Sequence, residues 1–217
     1  FIGSHVSEYL LRKNKIVYGI DNINDYYDVN LKLNNLNILE KYEKFTFKKD
    51  DICTTNVIEE FKPDKIIHLA SMAGVRYSIM NPKIYCKVNI NGFIHILEEA
   101  VKHKVKHIVY ASSSSVYGLN KKVPFSENDV ISSCNSPYAT SKMAMELYAK
   151  TYNQLYKISN IGLRFFTVYG PWGRPDMALF LFTKAIINNK KIDVFNYGNH
   201  SRDFTYIDDI IYGVKKI

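Results

Sequence analysis

The hydrophobic positions along the chain follow two alternating spacings. Short apolar runs, typical of strands, occupy residues 15–21, 45–49, 65–70, 107–111 and 158–165. Between them, apolar residues recur at helical spacing over residues 4–13, 54–61, 84–103 and 138–156. This alternation predicts an α/β protein in which crossover helices connect parallel strands.

The apolar runs at 66–70 and 108–111 lack polar alternation, which is the pattern of strands buried on both faces. After residue 166 the pattern loosens into a Gly- and Pro-rich segment, a helix over 178–189 and short strands. We therefore predict a Rossmann-like, doubly wound parallel sheet over residues 1–166 and part of a smaller substrate-binding region over residues 167–217. Ligands of such sheets bind beyond the carboxyl ends of the strands.

Composition and charge narrow the classes of function. The net charge of +8 comes from scattered lysines that are not interleaved with aromatic residues, so we predict no nucleic-acid partner. The three cysteines form no C-x-x-C pair, which argues against a metal site or a disulfide framework and indicates the cytoplasm. The longest apolar stretch is too short to span a bilayer and no secretory signal is evident, so we predict no membrane partner.

Segments at strand ends are candidates for contacts with a dinucleotide. The first candidates, residues 1–3, lead into a predicted helix whose N-terminus suits a pyrophosphate, although a single glycine also marks an ordinary helix start. Asp21 ends a strand, where a carboxylate can accept both hydroxyls of an adenosine ribose, which favours NAD over NADP; a turn-forming aspartate is the alternative. The residues at 51 and 52 can contact adenine, or can instead cap the helix that follows them. The candidates are Phe1, Ile2 and Gly3, then Asp21 and Asn22, then Asp51 and Ile52.

Tyr138 and Lys142 are four residues apart on a predicted helix, so their side chains project from one face, one turn apart. A free tyrosine has a pKa of about 10, and a nearby ammonium stabilises its phenolate. Such a tyrosine can take a proton from a sugar hydroxyl. Chance is the alternative for the spacing alone, because the chain has 17 tyrosines.

Four serines, residues 112–115, directly follow the buried strand at 107–111. They form either a flexible turn or a row of hydrogen-bond donors at the ligand crevice. The order of buried strand, serines and Tyr-x-x-x-Lys favours the second interpretation.

The chain resembles the extended short-chain dehydrogenase/reductases, and among them the CapI-like UDP-glucuronate 4-epimerases. The matching segments are 1–5, 68–70, 73–78, 112–118, 163–177, 180–186, 192–198 and 202–209. The family's glycine-rich loop, G-x-x-G-x-x-G, would end at Gly3. The resemblance therefore implies a fragment that lacks the first strand and the last third of the family's length. We expect residues 1–217 alone to bind NAD weakly or not at all, because a buried central strand is missing.

The resemblance implies an enzyme that transfers hydride from sugar C4 to NAD and returns it to the other face of the 4-keto sugar. Tyr138 would be the base, Lys142 would assist it and hold the nicotinamide ribose, and Ser113 would bind the 4-hydroxyl. The further cofactor contacts would be Leu69, Ala70, Ser71, Asn89 and Phe165. The substrate contacts would be Arg76, Ser113, Ser114, Ser115, Thr167, Arg174, Phe195 and Arg202.

Sibling reactions share the first oxidation, but the residues disfavour them. A 4,6-dehydratase carries an Asp-Glu pair where Ser114 and Ser115 stand, and UDP-glucuronate decarboxylases usually carry Glu at position 115. Thr167 replaces the Asn common in UDP-glucose 4-epimerases. Another NDP-sugar enzyme of the family and a catalytically inactive nucleotide-binding module stay as alternatives. In the family the helices predicted at 84–103 and 138–156 pair two subunits, which implies a homodimer.

Overall fold

The computed structural model describes residues 1–131, 133–199 and 201–217. The strands are β1 (Val17–Asp21), β2 (Phe45–Lys49), β3 (Lys65–His68), β4 (His107–Ala111), β5 (Ser159–Leu163), β6 (Thr167–Tyr169) and β7 (Phe204–Tyr206). The helices are α1 (Ile2–Arg12), α2 (Val29–Leu39), α3 (Val57–Phe61), α4 (Val75–Met80), α5 (Pro82–Tyr85), α6 (Gly92–Lys102), α7 (Pro137–Tyr156), α8 (Ala178–Ile187) and α9 (Ile207–Lys215).

The chain forms two compact units. The central unit comprises residues 20–22 and 49–165, and the terminal unit comprises residues 1–19, 23–48 and 166–217. The described strands pair as β1-β2, β3-β4-β5 and β6-β7. The pairs within the last two sheets are all parallel, so the predicted α/β architecture with parallel strands is confirmed.

The core of the central unit lies around β4, the middle strand of its sheet. Ile108, the second residue of β4, is fully buried and pairs with Ile66 on one side and Asn160 on the other. Helices α6 and α7 contact each other and contribute fully buried side chains, including Phe93 and Met145. An apolar β4 without alternation fits this position, because the strand has neighbours on both edges and buried side chains along its length.

The ends of α7 follow from local sequence. Ser136 is the N-cap, and its Oγ accepts a 3.1 Å hydrogen bond from the backbone N–H of Ala139. Pro137 occupies the first helical position, where no backbone N–H is needed. Lys157 ends the helix in a left-handed conformation with φ of 58°. The predicted helix at 138–156 is thus confirmed to within one residue.

The predicted continuous helix at 84–103 is wrong in its first half. The structure has the short helix α5, a π-helical turn at Cys86–Asn91, and then α6. In the π-helical turn the side chain of Asn89 hydrogen-bonds both backbone groups of Met72, a contact to a distant segment that local periodicity does not reveal.

Other boundaries also differ from the predictions. Helix α3 begins only at Val57, because residues 51–55 form a turn in which the Asp51 carboxylate accepts a bond from the N–H of Cys53. The strands predicted at 65–70 and 158–165 are shorter, and end at His68 and Leu163. The pattern did not predict helices α2 and α4 at all.

In the terminal unit, α1 contacts α2 and α9. Gly170 has φ of +149°, and a Cβ there would lie 2.5 Å from the side chain of Ile207 at the start of α9. Glycine therefore permits the close approach of this turn to α9. None of the helices in the described residues has the length and hydropathy needed to cross a membrane.

Candidate active site

Lys142 is the most deeply buried charged group in the described part of the central unit, with 1% of its surface exposed. Its Nζ atom donates a 2.8 Å hydrogen bond to the carbonyl oxygen of Ala111, the last residue of β4. Burial lowers the pKa of Lys142 to about 7, because removing the ammonium from water disfavours its charged form. A side chain of this kind can change protonation state near neutral pH.

Tyr138 lies one helical turn before Lys142 on α7 and is half-buried. Its ring meets the ring of Tyr85 edge-to-face, with centroids 6.1 Å apart. Tyr85 is almost fully buried, and its hydroxyl donates to the carbonyl oxygens of Ala73 and Gly74. Tyr85, held in place by these two carbonyl groups, thus supports one side of the Tyr138 ring.

Ser113 follows β4 by two residues and is buried, with 7% of its surface exposed. Its backbone is extended (φ −157°, ψ 147°) and precedes a 3-10 turn at Ser114–Tyr117. The Ser113 hydroxyl accepts a 3.2 Å bond from the N–H of Ser115 and donates to the Ser115 hydroxyl at 3.1 Å. Because Lys142 bonds Ala111, the structure brings the predicted lysine to the strand end that leads into the predicted serines.

Several of the predicted cofactor residues of the central unit lie at or directly after strand ends. Asp21 ends β1 and Asn22 follows it, and both are exposed. The segment 69–71 directly follows β3 and is half-buried. Ile52 is buried, and its Cδ1 atom would lie 2.9 Å from a Cβ at Gly92, the first residue of α6.

Asn89 is fully buried and its amide is used by the chain itself. Its oxygen accepts from the N–H of Met72 at 2.7 Å, and its nitrogen donates to the Met72 carbonyl and the Ser141 hydroxyl, each at 2.9 Å. The Asn89 side chain therefore connects Met72, in the segment that follows β3, to Ser141 on α7. A direct contact with a cofactor stays a prediction.

Two further predicted residues lie in the central unit: Arg76, which is exposed on α4, and Phe165, which follows β5 by two residues. The others lie in the terminal unit. Phe1, Ile2 and Gly3 form the start of α1. Thr167 begins β6, and Arg174 makes two bonds to the carboxylate of Asp176, at 3.0 and 2.5 Å. Arg202 is exposed and donates to the carbonyl of Ser201. The side chain of Phe195 lies outside the described part of the structure.

An ion pair that the sequence analysis did not predict is hydrogen-bonded to the first of the four serines. Glu146, one turn after Lys142 on α7, accepts bonds from Arg164 Nε at 3.0 Å and Nη2 at 2.8 Å. It also accepts a 2.5 Å bond from the hydroxyl of Ser112. Arg164 in turn lies over the ring of Tyr117, 4.9 Å from its centroid. The four-residue spacing from Lys142 was the available signal, since it places Glu146 on the same face of the helix.

No group of three or more metal-ligating side chains occurs in the described residues. His68, at the end of β3, is buried, and burial lowers its pKa to about 3, with the Lys142 charge adding to the effect. It is therefore neutral at physiological pH and packs against the ring of Phe93, with centroids 5.0 Å apart.

Comparison with known proteins places these residues in a family. Protein CapI of Staphylococcus aureus is 51% identical over all of this chain, which spans 66% of that protein. UDP-glucuronate 4-epimerase 2 of Arabidopsis thaliana is 50% identical over 98% of this chain, which spans 51% of that protein. The chain thus spans about half to two thirds of the length of these relatives.

Solved structures show a similarity to the same group of proteins. UDP-glucuronic acid 4-epimerase from Bacillus cereus, in complex with UDP-glucuronic acid and NAD, superposes with a TM-score of 0.94 at 36% identity, covering 99% of this chain and 69% of that one. UDP-glucose 4-epimerase from Thermotoga maritima superposes with a TM-score of 0.87 at 29% identity, covering 98% of this chain and 68% of that one. Residues 1–217 match the NAD dependent epimerase/dehydratase family, and the chain belongs to it.

Proposed function

We propose that the intact protein is an NAD-dependent UDP-sugar 4-epimerase that converts UDP-glucuronate to UDP-galacturonate. The observation that carries this proposal is the buried Lys142, which lies one turn after Tyr138 and bonds the end of the strand that leads to Ser113. The relatives named UDP-glucuronate 4-epimerase, at about half the positions identical, support the choice of reaction.

The surroundings of Lys142 fit a nicotinamide ribose. In the described residues its ammonium makes a single hydrogen bond, to Ala111, so two of its three N–H groups are available to ribose hydroxyls. Asp21 is the last residue of β1, and its carboxylate would accept the adenosine ribose hydroxyls. When bound, NAD would supply a hydride acceptor for sugar C4 and the same hydride for the return step.

The protein's own part is proton transfer and positioning. Tyr138 takes the proton of the 4-hydroxyl as the C4 hydride leaves, and gives it back after the 4-keto sugar has turned over. The Lys142 ammonium stabilises the phenolate, because an opposite charge nearby lowers the pKa of a tyrosine. Ser113 donates a hydrogen bond to the same oxygen and holds the sugar against the base.

The preference for a carboxylated sugar rests on neutral hydroxyls. Ser114 and Ser115 are half-buried in the 3-10 turn after β4, and Thr167 begins β6. Several modest hydrogen bonds can hold the C5 carboxylate away from the orientation that favours loss of CO2 while the ring still turns. The serines also lack the carboxylic acid groups that a dehydratase needs.

We assign residues 1–166 to the NAD-binding region and residues 167–217 to the nucleotide-sugar region. Arg174 and Arg202 belong to the second region, and a guanidinium matches the geometry of a diphosphate. Arg174 is bonded to Asp176 in this structure. Binding of the diphosphate therefore requires the guanidinium to exchange or share that partner.

We also propose that the intact protein is a homodimer that pairs through α7. Leu147 and Leu155 on this helix are 59% and 65% exposed, and Tyr148 is also exposed. Apolar side chains on one long helix suit burial in an interface. Leu147→Glu with Leu155→Glu is expected to yield a monomer by analytical ultracentrifugation, whereas an unchanged mass would contradict this interface.

The test of the proposed activity is incubation of the intact protein with UDP-glucuronate and detection of UDP-galacturonate by NMR. Tyr138→Phe is expected to lower kcat by about 1000-fold while NAD still binds, because only the phenolic hydroxyl is lost. Tyr212→Phe, at an exposed position on α9, is the control and should keep full activity. Formation of UDP-xylose, or turnover of UDP-glucose alone, would contradict the assigned reaction.

A further inference from the structure

A single carboxylate connects two strand ends beside the proposed catalytic serine. Glu146 Oε1 accepts from the hydroxyl of Ser112 and from Arg164 Nε, while its Oε2 accepts from Arg164 Nη2. Ser112 follows β4 and Arg164 follows β5. The Glu146 and Arg164 side chains are 17% and 20% exposed, so the pair is largely screened from water.

The chain is held by hydrogen bonds on both sides of Ser113. Before Ser113, the Ser112 hydroxyl bonds Glu146 and the Ala111 carbonyl bonds Lys142. After Ser113, the N–H of Ser114 donates a 2.8 Å bond to the carbonyl of Phe165, the residue next to Arg164. The backbone of Ser113 is thereby fixed on both sides, and Glu146 contributes to both attachments.

The Glu146–Arg164 ion pair is expected to affect the position of Ser113 more than the overall stability of the fold. Buried ion pairs contribute little net stability compared with apolar packing, but separating the partners is costly, because it leaves a charge without its hydrogen bonds. A hydroxyl that must meet a reacting oxygen tolerates displacements of only about 0.5 Å before catalysis suffers. A rigid attachment on either side of Ser113 meets that requirement.

We propose that Glu146 is a positioning residue for the reaction, which acts through Ser112 and Arg164 to set the place of the Ser113 hydroxyl. The inference rests on the proposed epimerase function and assigns Glu146 no contact with substrate or cofactor. Ser112 is the link that can be cut alone, since Ser112→Ala removes one hydroxyl and leaves the Glu146–Arg164 pair intact.

The experiment is a double-mutant cycle on the intact protein, with kcat, KM and thermal unfolding measured for Ser112→Ala, Ser113→Ala and the double variant. Ser112→Ala is expected to lower kcat about tenfold, with KM changed less than twofold. In the Ser113→Ala background the same substitution should change kcat less than twofold, because no hydroxyl remains to be positioned. Equal losses in both backgrounds would mean a purely structural role and would overturn the proposal.

Glu146→Gln supplies a second measurement. It keeps an acceptor for Ser112 but removes the charge that holds Arg164, so kcat is expected to fall more than in Ser112→Ala, again without an effect in the Ser113→Ala background. Glu59→Gln, exposed on α3, is the matched control and should retain activity. Complete lack of turnover by the native protein on any UDP-sugar would refute the proposed function itself, whereas normal turnover with additive losses would refute only the positioning role.

Discussion

The Nζ atom of Lys142 lies 2.8 Å from the carbonyl oxygen of Ala111, and this bond joins α7 to the carboxyl end of β4. An ammonium buried against a backbone carbonyl has its charge only partly compensated. The folded protein therefore carries this residue at a cost to its stability, as functional sites commonly do. The cost has a measurable dependence on pH.

Lys142→Met is expected to stabilise the protein near neutral pH and to abolish activity. Burial lowers the pKa of Lys142 from 10.5 to about 7, so the unfolded chain binds this proton more tightly than the folded one. Native stability therefore rises with pH between about 7 and 10.5 as the cost of the buried charge disappears. The variant should unfold at a higher urea concentration than the native protein. Its free energy of unfolding is expected to exceed that of the native protein by about 2–4 kcal/mol at pH 7 and by much less at pH 10.

The control for this comparison is Lys150→Met, an exposed position on the same helix. It should follow the native protein at both pH values. A Lys142→Met advantage that is the same at pH 7 and pH 10 would contradict the assigned burial of charge.

Asn89→Ala is expected to lower the free energy of unfolding by about 2–4 kcal/mol. The substitution leaves the partly buried N–H and carbonyl of Met72, and the buried hydroxyl of Ser141, without this partner, and an unsatisfied buried group costs about 1–3 kcal/mol. Asn91→Ala, exposed in the same π-helical turn, should change little. Urea titration of both variants checks the difference, and equal losses would refute the role given to the Asn89 amide.

Gly118→Ala is expected to lower Tm by roughly 6–12 °C, which corresponds to about 3 kcal/mol in a chain of this length. Gly118 has φ of +56° and ψ of −119°, and an added Cβ would collide with the carbonyl oxygen of Ser133. Gly213→Ala in α9 meets no atom within 4 Å and should keep or raise Tm. Differential scanning calorimetry decides; an unchanged Tm for Gly118→Ala would mean that the turn relaxes without strain.

Asp21→Asn is expected to weaken NAD binding about tenfold and to reduce the preference for NAD over NADP. The neutral amide accepts ribose hydroxyls less strongly and no longer repels a 2′-phosphate. Titration calorimetry of the intact protein with each cofactor measures both effects. Asp25→Asn, at an exposed position a few residues further on, is the control; the same loss there would point to net charge rather than to a ribose contact.

Thr167→Asn is expected to lower kcat/KM for UDP-glucuronate about tenfold and to raise it for UDP-glucose, because the amide replaces a hydroxyl proposed to bind the C5 carboxylate. Competition between the two sugars in one NMR sample gives the ratio directly. Thr46→Asn, exposed on β2, should leave the ratio as it is. An unchanged ratio in Thr167→Asn would refute the carboxylate contact.

Much of the fold was predictable because the information is local. The apolar run at 107–111 became β4 with the predicted bounds, and the pattern at 138–156 became α7. Helix α2 escaped prediction because its apolar residues are spread around the helix: only Leu39 of its residues is buried. The interruption at Cys86–Asn91 escaped because its cause, the contact of Asn89 with Met72, lies 17 residues away.

The sequence by itself determined the α/β pattern, the helical spacing of Tyr138 and Lys142, and the serines after β4, since each is a relation between near neighbours. Only the tertiary structure decided that Lys142 is buried against Ala111, and that Glu146 joins Ser112 to Arg164, over 34 and 18 residues. Burial and pairing at such distances depend on how β4, β5 and α7 pack together. A periodicity can indicate that a face is covered, but not which side chain covers it.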